Sequence, residues 1–366
     1  MAFITALGVA NPPHRVPQMQ IADFMARAMQ LDRVRERKLR AVFRSSGIDY
    51  RYSVVGDYAR ADGFSFFPNS DDMEPFPSTS RRMEEFRNHA AALSVQAVND
   101  ALGDWYKGND FSHLITVCCT GMYAPGLDLD IMERCGLPGT VHRLSLNFMG
   151  CYAAVNALRT ADALCRATPD ARVLVVCIEL CSLHFQKNYS EDNLLANALF
   201  SDGAAAVVVE GRPSPAGGLR LEQFHGIVLD EGRRDMAWDV GDHGFVMRLS
   251  SYIPELVRDG VRQLGDRVLK DAGLRVEDVA YFAIHPGGKR ILDAVEEQLE
   301  LPDGSTRFAR DVLRDCGNMS SPSVLFVLKR IWNALVPADE GKPILGLAFG
   351  PGLTLESMVL RIEHVL

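Results

Sequence analysis

Short apolar runs bounded by Gly, Pro and Asp alternate along this chain with stretches in which apolar residues recur every three or four positions. These are the periods of buried strands and of amphipathic helices. Seven runs read as strands: residues 3–9, 114–118, 172–178, 204–209, 279–284, 343–349 and 355–362. Five periodic stretches read as helices: residues 80–101, 151–166, 251–271, 289–299 and 318–335. In the helix from Ser251, residues Ile253, Leu256, Val257, Val261, Leu264 and Val268 share one face, and Pro254 falls in the first turn, where its missing N–H is harmless. Residues 57–80, full of Gly, Pro, Asp and Ser, read as a long loop. Strands alternating with helices predict an α/β fold.

A Gly/Pro-rich stretch, residues 211–218, separates two halves that look related. In the first, the strand ending at Val117 is followed by Cys118, and a helix begins near Gly150-Cys151. In the second, the strand ending at Ile284 is followed by His285, and a helix begins at Gly317-Asn318. His285 follows Cys118 by 167 residues, and Asn318 follows Cys151 by the same 167. The expected division is residues 1–215, carrying Cys151, and residues 216–366, carrying His285 and Asn318. Two stacked copies of one unit bring both helix starts to one crevice.

Composition narrows the function. Of 366 residues, 47% are hydrophobic and 23% charged, the balance of a globular enzyme with a large core. The net charge of −8, from 39 basic and 47 acidic residues, argues against bulk capture of nucleic acid or of anionic membrane. No apolar run reaches the roughly 18 residues of a membrane span. The opening Met1–Leu7 lacks the features of a secretory leader. Eight cysteines are too dilute for a disulfide framework, and neither Cys118-Cys119 nor Cys177/Cys181 has zinc-ribbon spacing. A cytoplasmic protein with reduced thiols is expected.

Three residues carry candidate chemistry. Cys151 follows Gly150, which permits a sharp turn into a helix whose positive end is expected to lower the thiol pKa. The bland alternative is a small buried hydrophobe. His285 ends a buried strand before Pro286-Gly287-Gly288, a place where a ring enters a crevice. A satisfied core histidine is its alternative, as an N-cap is for Asn318. Brought together, Cys, His and Asn suit acyl transfer, with a thiolate nucleophile and two donors for an oxyanion or enolate.

At this point the sequence resembles the type III polyketide synthases, the chalcone/stilbene synthase family of the thiolase-like fold, and its bacterial members most. The matching stretches are Asn147–Cys151, Ile284–Gly288 with Ile291–Glu296, Gly317–Ser321 and Ala348–Thr354. The resemblance covers essentially the whole chain and implies a layered αβαβα fold built from two related halves. It implies that Cys151 accepts the acyl group from an acyl-CoA starter. His285 and Asn318 then stabilise the enolate left when malonyl-CoA loses CO2, and rounds of condensation precede ring closure. No cofactor or metal is implied beyond the CoA thioesters themselves, and the partner implied is a second copy of the chain, approached near residues 121–126.

Further residues follow from the same resemblance. Phe200 falls at a gate between CoA tunnel and cavity, with Met247 or the nearby Phe245 as the second gate. Ser320, Phe349 and Gly350 belong to cavity-lining motifs, although Ala348 stands where the family usually has Gly. Cys181 and His184 fall at cavity positions. A cysteine at the first looks like bacterial enzymes that make alkylpyrones or alkylresorcinols from medium or long acyl starters. The bulk of His184 and Phe185 instead closes such a tunnel. Arg33, Arg37, Arg40 and Arg44 recur on one helical face. Of these, Arg37, Arg40 and Arg44 match the family's CoA-phosphate cations, against the alternative of a solvated charged face. The nearest rival reading is a ketoacyl-carrier-protein synthase of the initiating type, which shares the Cys/His/Asn set; Ser320-Ser321 and the Phe349–Gly352 loop favour the polyketide enzyme. A degradative thiolase lacks its second cysteine here. From other classes, a cysteine hydrolase conflicts with the duplicated layout, and a non-catalytic acyl-CoA-binding member needs a broken triad.

Overall fold

Every apolar run read as a strand is one in the computed structural model, which describes residues 1–214, 217–250 and 253–363. The strands of the first half are β1 Phe3–Ala10, β2 His14–Pro17, β3 Tyr50–Ser53, β4 His113–Cys118, β5 His142–Asn147, β6 Arg172–Leu180 and β7 Asp202–Glu210. Its helices are α1 Gln18–Ala28, α2 Arg33–Ser45, α3 Thr79–Leu102, α4 Leu127–Cys135, α5 Ala153–Ala167 and α6 Glu191–Leu199. The second half holds β8 Gly218–Val228, β9 Met236–Gly241, β10 Gly244–Leu249, β11 Tyr281–Ile284, β12 Pro343–Gly350 and β13 Thr354–Glu363. Its helices are α7 Ile253–Ala272, α8 Lys289–Gln298, α9 Arg307–Cys316 and α10 Pro322–Ala334.

One continuous hydrogen-bonded sheet runs β5-β4-β6-β7-β1-β8-β13-β12-β11. Its middle seam is thin, because β1 meets β8 only through Phe3↔Arg220 and Ile4↔Leu219. On either side the pairing repeats. The joins β4–β6 and β11–β12 are parallel, β6–β7 and β12–β13 antiparallel, and β7–β1 and β13–β8 antiparallel. Helices complete five layers. Outer helix α3 packs on β1, β6 and β7, while α5 lies between β4, β6 and β7 on one side and β13 on the other. Its counterpart α10 touches β1, β6 and β7 as well as β11 and β12, and outer helix α7 covers β8 and β13. Strands sandwiched this way are apolar on both faces. On β6, Val173, Val175 and Cys177 join the inner core, while Leu174, Val176 and Ile178 join the core on the α3 side.

Several boundaries differ from the sequence reading. The helix expected from Cys151 begins at Ala153, and the one expected from Asn318 begins at Pro322. Ser320 there has φ 57°, a left-handed turn that no helix continues through, and Pro322 supplies a preset first turn. The expected start of a helix at Ser251, and the expected division between Pro215 and Ala216, lie outside the described residues. The edge strand β5, the inner strand β8 and the two-stranded pairs β9–β10 and β2–β3 were not expected. β5 is exposed along most of its length, so it carries no apolar run to read.

Beneath the crevice the two halves are joined by one carboxyl group. Glu179, near the end of β6, is fully buried. It accepts the Cys119 N–H at 2.9 Å and the Thr120 hydroxyl at 2.8 Å, both from the turn after β4. Its other oxygen accepts the Ser321 hydroxyl at 2.9 Å, from the turn before α10 in the second half. Burial pushes this carboxyl up to about 7. The folded protein therefore holds a proton at pH values where the unfolded chain has lost it. The resulting stability is complete below the ordinary glutamate range and is lost as pH rises through about 7. A shift of this size corresponds to roughly 3 kcal/mol. Urea unfolding from pH 5 to 8.5 should show native stability falling through this window. Glu179→Gln, which keeps the acceptor and removes the titration, should flatten the fall. Superimposable pH profiles for the two proteins would refute this role for Glu179.

Candidate active site

Cys151 sits in the turn between β5 and α5. Gly150 takes φ 80°, and a Cβ on it would lie 2.1 Å from Pro351 Cδ, so conformation and space both demand glycine. The Gly150 N–H donates to Cys119 Sγ at 3.0 Å, and the Gly150 carbonyl accepts the Ala153 N–H. From the second half, Gly350 presses on the Tyr152 ring and the Cys151 backbone so closely that a Cβ would lie 2.7 Å from the ring. The neighbouring Ala348 is an ordinary buried member of β12, paired with Glu356.

His285 follows β11, its backbone N–H bonded to the Leu347 carbonyl at 2.8 Å. Its ring is 1% exposed, and neither Nδ1 nor Nε2 has a hydrogen-bond partner. A core histidine that is merely structural satisfies its nitrogens, since an unpaired buried polar group costs about 1–3 kcal/mol. Asn318 is not an N-cap. Its backbone bridges to Phe200, its Oδ1 accepts the Ser320 N–H at 2.8 Å, and its Nδ2 donates to the Gly287 carbonyl at 3.3 Å. That amide keeps a second N–H for a ligand.

Cys151, His285 and Asn318 line one cavity of about 1230 Å³, its open mouth included. Phe200, Cys181, Met247, Ser320 and Phe349 line it too. Met247 lines this cavity, whereas Phe245 borders only a smaller hollow beside it. His184 is likewise set back there. It is a satisfied histidine, with Nε2–H donating to the Thr120 carbonyl at 2.7 Å and Nδ1 accepting the Phe245 N–H at 2.9 Å. Cys119, Trp238 and Met236 also line the cavity, and the sequence reading missed them. It missed Glu179 as well, although a glutamate inside the apolar run of β6 was a visible signal.

The electrostatics overturn one expectation. Burial pushes the Cys151 thiol up to about 12, aided by the charge of Glu179 and opposed by a hydrogen bond with Ser320. Burial also pushes His285 down to about 3. A dry site disfavours both charged forms, and this outweighs the pull expected of the helix end. Burial thus disfavours the charged form of each group, and the unpartnered imidazole is free to receive a proton.

The arginine stripe divides. Arg40 is held by Asp23 at 2.6 Å and Glu36 at 2.8 Å and borders a different surface depression, so it is not the free phosphate ligand expected. Arg37 and Arg44 are exposed on α2, and its last turn, through Val42, Ser45 and Ser46, forms part of the cavity lining. Lys289 and Arg290, at the start of α8, also line the cavity.

Comparison with known proteins agrees with this geometry. Residues 1–213 match the family model for chalcone and stilbene synthases, N-terminal domain, and residues 223–363 match the C-terminal domain model. The chain is 33% identical over 370 residues to the alpha-pyrone synthesis polyketide synthase-like Pks18 of Mycobacterium tuberculosis, covering 99% of this chain and 91% of that protein. It is 31% identical over 379 residues to probable polyketide synthase 1 of Dictyostelium discoideum, of whose length it spans 11%. The C-terminal type III polyketide synthase domain of Steely1, a type I/III hybrid from Dictyostelium, superposes with TM-score 0.91 at 29% identity, each chain covered to 99%. PKS-I from the brown alga Ectocarpus siliculosus superposes with TM-score 0.89 at 28% identity, covering 99% of this chain and 98% of that one. Thiolase-like layering, a Cys/His/Asn crevice and two family models that together span nearly the whole chain lead to one assignment: this chain belongs to the chalcone and stilbene synthase family, the type III polyketide synthases.

Proposed function

We propose that the chain loads an acyl-CoA starter on Cys151, extends it with malonyl-CoA and releases a ring-closed polyketide. The observation that carries this reading is His285, wholly buried, unpartnered at both nitrogens, and facing the same cavity as Cys151 and Asn318. In loading, His285 takes the Cys151 proton as sulfur attacks the thioester carbonyl, and the proton leaves with the CoA thiol. In extension, malonyl-CoA loses CO2, and the electron pair left behind forms an enolate of acetyl-CoA. Donors from the His285 ring and the Asn318 amide stabilise its oxygen. The enolate carbon attacks the Cys151 thioester, the C–S bond breaks, and the chain is carried by CoA until it returns to Cys151. Family members work on CoA thioesters and need no cofactor for this chemistry.

The name of Pks18 specifies α-pyrone synthesis, and a ring-closed product of that kind is the one proposed for this chain. Arg37 and Arg44 are the CoA-phosphate cations of this reading, and Lys289 lines the cavity. Arg40 instead acts as a brace between α1 and α2. A second copy of the chain covers the exposed edge of β5, where Leu144, Leu129 and Met122 lie open. Eight unpaired cysteines fit a reducing, cytoplasmic setting. Among the described residues no helix is long and apolar enough to cross a membrane.

Intact-mass spectrometry with acyl-CoA should show an acyl adduct on the native protein and none on Cys151→Ala, whose polyketide formation should fall at least a thousandfold. His285→Gln and Asn318→Ala should each cut malonyl-CoA decarboxylation by about 10²-fold or more, the scale of one lost oxyanion donor. Full condensation by Cys151→Ala would overturn the assignment. The paired variant Arg37→Glu/Arg44→Glu should raise the KM for malonyl-CoA several-fold with kcat little changed. Arg40→Gln should leave KM within about twofold and lower thermal stability instead. A larger KM effect at Arg40 would reverse the division of the stripe.

A further inference from the structure

Helix α6 ends at Leu199, and the carbonyls of its last turn find no partner within the helix. Other elements supply the donors. The Asn197 and Phe200 carbonyls both accept from Arg51 Nη1, at 2.7 and 2.8 Å. The Ala198 carbonyl accepts from Gln18 Nε2 at 2.7 Å. The Leu199 carbonyl accepts the main-chain N–H of Asn318 at 2.9 Å, and the Ser201 N–H returns a bond of 2.9 Å to the Asn318 carbonyl. The main chain of Asn318, in the second half, is thus tied at both its groups to the end of a first-half helix.

Arg51 is what holds that end in place. It lies buried on β3, and its Nε donates to Gln18 Oε1 at 2.8 Å, so the two side chains cap the helix as one unit. The next residue repeats the link, because Tyr52 exchanges two main-chain bonds with the Ser201 hydroxyl. The Arg51 stem also presses on the approach to Asn318: a Cβ on Gly317 would lie 2.9 Å from Arg51 Cγ. Asp202, the carboxylate whose charge reaches the guanidinium, spends its bonds on Ser182 and Val54 instead. Burial pulls Arg51 down to about 10, which leaves it charged at neutral pH. A cation is favoured at a helix C-terminus, and its charge strengthens each bond to a carbonyl.

We propose that Arg51, with Gln18, is a positioning residue for Asn318: by capping α6 it fixes the Leu199 carbonyl from which the Asn318 main chain hangs, and so aims the Asn318 amide into the cavity. Arg51 is not among the residues that line that cavity, so it acts only through others. The kinetic consequence rests on the enolate role of Asn318, whereas the structural one does not. Loading of Cys151 uses His285 as its base, and extension needs the Asn318 donor as well. A residue that acts through Asn318 therefore weakens extension and spares loading.

The test compares Arg51→Met, Arg51→Lys and Gln18→Leu, each alone and combined with Asn318→Ala. Three quantities are measured: malonyl-CoA decarboxylation, the rate of Cys151 acylation by acetyl-CoA, and amide hydrogen exchange across residues 317–321. Arg51→Met should cut decarboxylation at least tenfold and leave acylation within about threefold. Added to Asn318→Ala, it should cost less than about twofold more, since groups acting through one another are not additive. Arg51→Lys, which keeps the charge and donors for the carbonyls, should recover much of the loss. Gln18→Leu should give a smaller loss of the same selective kind, and these two variants decide the matter if Arg51→Met does not fold. Exchange at residues 317–321 should quicken in Arg51→Met while that of β6 and β7 stays native. Equal losses in decarboxylation and acylation, a full further loss on top of Asn318→Ala, or native exchange at 317–321 would each overturn the proposal. Faster exchange there, with decarboxylation intact in Arg51→Met and Asn318→Ala alike, would instead sink the enolate reading and leave the positioning standing.

Discussion

The Glu179 carboxyl group is bonded to three donors, and most of the site hangs from those bonds. Two come from Cys119 and Thr120, which fixes the turn after β4. That turn then holds everything around the nucleophile. Cys119 Sγ receives the Gly150 N–H just before Cys151, the Cys119 carbonyl receives Trp238, and the Thr120 carbonyl receives His184. The third donor is Ser321, next to Ser320, which lines the cavity with Cys151 from the second half. A neutral or half-ionised carboxyl suits this position better than a salt bridge. It orders three donors without importing a second charge to desolvate.

The same burial that shapes Glu179 sets the chemistry. Removing water disfavours the charged forms of the Cys151 thiol and the His285 ring alike. The fold tolerates an imidazole with two empty nitrogens, a cost accepted among the other described residues at a few buried side chains such as Arg51 and Arg82. Such a site gains most when a ligand arrives with groups that complete it, because donors aimed at a developing charge act strongly in a dry pocket. The high thiol pKa and the orphan histidine are one design seen from two residues.

How much of this was legible in the sequence depends on whether a residue announces itself locally. Most strands of the large sheet did, because strands covered on both faces are continuous apolar runs; β8, only partly buried along its length, did not. The exposed edge strand β5 and the hairpin β9–β10 carry no such run. Cys151, His285 and Asn318 were found because glycine turns mark them. Trp238 was not, since nothing near it in sequence reveals that it meets Cys119 and His184. The arginine stripe was read correctly as a helix face. Its division was not legible, because Asp23, which holds Arg40, comes from another helix. The thiol pKa was misjudged for a related reason: a helix end is visible in sequence, whereas desolvation belongs to the assembled crevice.

The duplicated frame explains why the catalytic set is split between the halves. Of the corresponding positions, Cys151 from the first half and His285 and Asn318 from the second line the shared crevice, while Cys118 is buried at the end of β4. The positions correspond across a constant spacing, but they are used unequally. Cys118, the counterpart of His285, is fully buried, and its thiol is pushed well above the ordinary range by burial and by Glu179 beside it. It serves as packing. In the proposed mechanism Asn318, the counterpart of Cys151, supplies a donor where its twin supplies a nucleophile. A symmetric scaffold with two identical sites would set thiol against thiol and leave no base for either. Specialising one copy for attack and the other for proton and oxyanion chemistry places complementary groups face to face across the seam, with the rigid helices α5 and α10 behind them.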